Sequence, residues 1–278
     1  MQRHPSFVIL GDLARANPHQ LTLWLKSRDD HAVTRTLVSC LVLGCGAYGF
    51  SIGLWRDPLQ GFYVALKMPA LIALTLAVNG LINGMLAVLL ESGLSFRQTL
   101  KAQLMSFALF SLIVGSLSPI VIAMVLDAPS ADSPEAAGWY AGFLLTHTAI
   151  IAFAGIVANH KLLRLLQAFS NSPRTGWMTL IAWLAGNLFV GAQLSYNLRP
   201  FFGNPDLPVQ FLRPNPFEGN FYEAVWNLSL GRLSVTTALP GLLFTLLTFL
   251  ILALVAFTRF AVPRIDRAIS NPNHAPKP

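Results

Sequence analysis

The sequence predicts an all-α membrane protein with about six transmembrane helices, cytoplasmic N and C termini and a folded external cap loop after the fifth helix. Three observations carry that prediction. Of 278 residues 54% are hydrophobic and only 11% are charged, against roughly 25% charged in an ordinary soluble domain. The apolar residues gather into runs of about 20 or more, the length an α-helix needs to cross a hydrocarbon core of ~30 Å. The basic residues flank those runs unevenly, about 14 on the predicted cytoplasmic side against about 5 outside, with Lys67 counted among the external ones. The net charge of +7 therefore reads as membrane orientation and not as a nucleic-acid stripe. The expected organisation is a cytoplasmic or interfacial segment over 1–34, a transmembrane domain over 35–261 that includes the cap at 198–234, and a disordered cytoplasmic tail over 262–278.

The N-terminal segment has only a short apolar stretch from Phe7 to Leu10 before Asp12 and Arg15, so no cleavable signal peptide is expected and insertion falls to the first span. Asn17 followed by Pro18 starts a helix. Its Leu21, Trp24 and Leu25 share a face, as in a helix lying on the membrane surface. The first span covers about 36–55. Gly49 and Gly53 stand there at small-xxx-small spacing, which marks a packing face. Cys40 and Cys45 project from different faces and read as small buried residues.

Asp57 and Pro58 form the N-cap and first turn of a second helix that runs to about Leu90, longer than a bilayer requires. A third span is predicted from about Leu100 to Leu126, with Pro119 inside it. The loop from Asp127 to Ala137 is acidic, contains no Lys or Arg and is expected outside. The fourth span, about 139–159, leaves the membrane at a basic stretch of His160, Lys161 and Arg164. The fifth covers about 177–197. A Pro-, Gly- and aromatic-rich segment follows, ending in a short amphipathic helix near 221–228. The sixth span is expected from about Val235 to Phe260, before the basic tail of Arg264 and Arg267.

Polar groups inside these spans are the first site candidates, because unsatisfied donors and acceptors are costly in hydrocarbon. Asn79 and Asn83 lie four apart and share a helix face. Asn187 and Gln193 occupy the fifth span. An inverted three-plus-three arrangement would make the second and fifth spans equivalent, with a site near the midplane; interhelical bonding is the plainer role. His147 is an ionisable residue within a span. It shares its helix with His160 on another face and meets no opposing histidine, so a bond to a neighbouring hydroxyl or carbonyl is expected rather than a cofactor.

The external segment is the second candidate. Arg199-Pro200-Phe201-Phe202-Gly203-Asn204-Pro205 and Arg213-Pro214-Asn215-Pro216-Phe217-Glu218-Gly219-Asn220-Phe221 combine fixed φ, tight turns and aromatics that want burial. Lys67, Arg199 and Arg213 are expected to pair with Asp206, Glu218 or Glu223. A cationic pocket for an anionic ligand or lipid head group is the sharper reading.

Lys67-Met68-Pro69, Leu94-Ser95-Phe96-Arg97-Gln98, the stretch from Leu198 to Phe211 and Glu218-Gly219-Asn220-Phe221-Tyr222 resemble an uncharacterised bacterial family of polytopic inner-membrane proteins. The resemblance spans most of the membrane region and is most specific in the Arg-Pro-Phe-Phe-Gly segment. It implies a bacterial inner-membrane location and a shared fold, and no substrate.

No metal, cofactor or catalytic residue is expected: the chain carries no His-Glu-x-x-His motif, Walker loop or dinucleotide fingerprint. The leading expectation is a non-enzymatic scaffold or subunit of a membrane assembly, whose partners are the lipid bilayer and a second copy or another membrane protein, with no nucleic acid. A small-solute transporter or channel built on the midplane amides is the alternative, and an intramembrane enzyme or redox protein using His147 is the third.

Overall fold

The computed structural model describes residues 5–15, 17–27, 31–203 and 208–225. The sixth span, the C-terminal tail and Asp206 lie outside the described residues. The chain divides into two compact units, Met1–Asn220 and Phe221–Pro278. Within the second, 221–225 form a helical turn in which the Phe221 and Tyr222 rings meet edge to face.

The first unit is all-α among the described residues: α1 (Pro5–Arg15), α2 (Pro18–Lys26), α3 (His31–Gly53), α4 (Pro58–Leu89), α5 (Phe96–Leu126), α6 (Ala136–Phe169) and α7 (Pro173–Leu198). The five from α3 to α7 are long and apolar enough to cross a membrane, and they point to a multi-pass membrane protein. Their outward faces carry large apolar side chains such as Leu66, Met85, Leu145, Phe153 and Leu188, which suit lipid rather than water.

Local chemistry sets where the helices begin. The Asn17 side chain accepts from the backbone N–H of His19, and that of Asp57 from Leu59, each just ahead of a proline in the first turn. Ser95 and Gln98 form a reciprocal capping box at α5. Ser172 caps α7 through the Thr175 N–H. Each cap satisfies a donor that the helix itself leaves open.

Two expectations, for the N-terminal segment and for the end of the fourth span, need correction. The face of α2 is not turned to a membrane surface: Leu21, Trp24 and Leu25 are buried in a cluster with Leu13 of α1, Leu37 of α3, Leu109 of α5 and Leu166 of α6. The helix of the fourth span does not end near Asn159, since α6 continues through the basic stretch to Phe169. Leu162, Leu163, Leu165 and Leu166 give that extension a buried face.

Close approach organises the rest. Gly44 of α3 meets Gly115 of α5, where a Cβ on Gly115 would lie 2.7 Å from the Gly44 Cα. Gly49 and Gly53 face Val64, Gln60 and Gly61 of α4. The small-xxx-small pair thus seats a neighbouring helix of the same chain. Both thiols also turn to α5: Cys40 Sγ donates to the Ala108 carbonyl at 3.4 Å, and Cys45 Sγ lies 3.0 Å from Ser111 Oγ. A second apolar cluster fills the other half of the bundle, around Tyr48, Val64, Val114 and Phe143, with Phe201 and Phe202 packed against it.

Candidate functional site

Asn79 and Asn83 of α4 are fully buried, and they do share a face. Asn79 Nδ2 donates to the Gly186 carbonyl of α7 at 3.0 Å. Asn83 Nδ2 donates to Gln103 Oε1 of α5 at 3.0 Å and to Asn187 Oδ1 of α7 at 3.2 Å. The Trp183 indole donates to the Asn83 carbonyl. Three helices are therefore tied together at one level by amides. Gln193 does not join them; its Nε2 donates to Asn197 one turn along α7.

Asn79 Oδ1, Asn83 Oδ1 and Gln103 Nε2 lack a hydrogen-bond partner. The two oxygens converge on the side where Gly186 has no side chain, 3.5 and 3.6 Å from the place a Cβ would take. A joint half-rotation of the Asn83, Gln103 and Asn187 amides exchanges donors for acceptors. It would give Asn83 Oδ1 two donors and Gln103 Nε2 an acceptor. The rotation moves Asn83 Nδ2 and Gln103 Oε1 into the vacated positions and leaves Asn79 Oδ1 without a partner.

The segment after α7 is bound to the helix ends by backbone carbonyls. Lys67 is 1% exposed; its Nζ donates to the Pro200 carbonyl and, at 2.8 Å, to that of Phe211. The same nitrogen sits 5.4 Å from the Phe201 ring centroid and 5.5 Å from that of Phe211, within cation–π range. Gln60 Nε2 also donates to Pro200. Among the described residues Lys67 thus meets carbonyls, which a proline-rich segment leaves open because it forms no regular ladder; Asp206, one of its expected partners, lies outside them.

Arg199 and Arg213 bracket one ring. Their guanidinium carbons lie 3.6 and 4.7 Å from the Tyr196 centroid. Arg213 also donates to the carbonyls of Pro216, at 3.1 Å, and Glu218, while the Glu218 carboxylate accepts from Asn215. Here too the arginine finds the backbone of Glu218 and not its carboxylate. Gly203 and Gly219 have φ of +68° and +72°, where a side chain is strained, and a Cβ would stand 2.7 Å from Arg56 Cβ and 2.9 Å from Tyr196 Oη respectively. Glu223 belongs to the second unit.

His147 is fully buried. Its Nδ1 lies 2.7 Å from Tyr48 Oη, the neighbouring hydroxyl expected for it, while Nε2 has no partner. Phe143 packs on its ring edge to face at 4.2 Å and Phe202 lies 5.7 Å away. The histidine and the segment after α7, separate candidates in the sequence, are thus in contact. Tyr48, Tyr196 and Gln103 went unrecognised in the sequence, whereas Phe202 stood in the segment singled out there. Of those three, only Tyr196, one turn before Arg199, carried a local signal. Among the described residues no three His, Cys, Asp or Glu side chains come together as a metal set.

No family model, curated protein or solved structure matches this chain.

Proposed function

We propose that this chain is a bacterial inner-membrane protein that acts without catalysis, as a scaffold or as a subunit of a membrane assembly. Six spans with both termini in the cytoplasm, and the segment 198–234 as an external cap, complete that reading. The bacterial location rests on the family resemblance, the orientation on the distribution of Lys and Arg.

The observation that carries the role is the use made of the buried polar residues. Asn79, Asn83, Gln103 and Asn187 spend their hydrogen bonds on one another and on Gly186. Lys67 spends its own on Pro200 and Phe211, and His147 meets Tyr48. Groups that would line a path or perform chemistry serve instead to hold helices and cap together. Purification in mild detergent tests the reading: a stoichiometric partner or a defined homo-oligomer is the expected result, and a monomer that moves a solute across proteoliposomes contradicts it.

A small-solute transporter or channel is the second reading. It is favoured by the two amide oxygens that converge beside Gly186. It requires water at that level, so thiol accessibility of cysteines placed there separates the two.

A further inference from the structure

Between α3, α4 and α5 a groove of about 600 Å³ opens on the outside of the bundle. It exists because α4 presents Ala70, Ala73, Ala77 and Gly80 along one face, small residues where a leucine would fill the space. Every residue lining it is apolar, with Leu76, Leu81 and Phe96 among its walls. Along α4 the lining extends from Pro69 to Leu81, about 18 Å at ~1.5 Å per residue, close to one leaflet of a core of ~30 Å.

One end is basic. The α3 residues that line the groove, Leu41, Val42 and Val38, continue at helical spacing into Thr34, Arg35 and His31 on the same side of the helix. These three are exposed, and Arg35 has no partner among the described residues. A single stripe thus passes from a trough of apolar side chains to the Arg35 guanidinium within three turns.

We propose that this groove holds one acyl chain of an anionic phospholipid, with Arg35 at the phosphate. The lining offers no polar side chain to a solute, its length fits a chain from one leaflet, and its charged end stands where the head group of such a lipid would be. The site is separate from the amide cluster and from the Lys67 contacts, and it stands whether the protein is a scaffold or a transporter.

Native mass spectrometry of the full-length protein, titrated with phosphatidylglycerol or phosphatidylcholine of identical chains, tests the proposal. Phosphatidylglycerol should bind at roughly fivefold lower concentration, the effect of about one basic residue at an anionic head group. Arg35→Gln should erase that preference while chain binding persists. Ala77→Phe, at an exposed position, should weaken both lipids several-fold, with Ala73→Leu as a milder filling if the larger ring disturbs folding. Equal binding of the two head groups by the native protein, an undiminished preference in Arg35→Gln, or undiminished binding in the groove-filling variants would each overturn it.

Discussion

Lys67 and Asn83 each join parts of the chain far apart in sequence through more than one hydrogen bond, so their replacement should be felt beyond the site of change. Lys67→Met keeps most of the side-chain volume and leaves the Pro200 and Phe211 carbonyls with one donor fewer. The expected cost is about 2 kcal/mol, read as a lower unfolding midpoint and faster proteolysis within 199–220. Asn83→Leu removes the donor shared by Gln103 and Asn187 and should cost about 1–2 kcal/mol in a detergent-denaturation titration. Asn187→Leu breaks only one of those bonds and should cost about 0.6 kcal/mol.

Glycines divide at the level of the helix pair. A Cβ at Gly115 would press on the Gly44 backbone where α3 crosses α5. Gly115→Val should therefore separate the helices and remove most folded protein from a size-exclusion profile. Gly142→Ala meets nothing within 4 Å and should be neutral or raise stability by up to ~1 kcal/mol. Helix starts were legible at Asn17-Pro18 and Asp57-Pro58, where a cap and a proline stand together; the same signal at Ser172-Pro173 went unread, and the fifth span was begun near Trp177. The extension of α6 past Asn159 was not legible, because His160, Lys161 and Arg164 mark where an apolar run leaves the membrane and not where its helix stops, which the buried face of Leu162 to Leu166 decides. Of the candidate site, the common face of Asn79 and Asn83 followed from their spacing, which fixes direction on a helix. Their partners Gln103 and Gly186 did not, since spacing within one helix says nothing of what lies opposite. The Lys67 contacts were hidden for a related reason: two of its acceptors are main-chain atoms, which no side-chain pattern reveals.

For the whole molecule, five described helices are suited to a bilayer, and the amides of Asn79, Asn83, Gln103 and Asn187 bond three of them to one another. A hydrated path through the midplane would need the same atoms free for water or solute. The most direct measurement places single cysteines at Asn79, Asn83 and Asn187, with Cys40 and Cys45 replaced by alanine, and follows their reaction with a small hydrophilic thiol reagent in native membranes. Denaturation in detergent reports the full labelling of each variant. The account predicts that all three thiols stay unreactive until the protein is unfolded. Rapid labelling at any of them in the folded protein would contradict it.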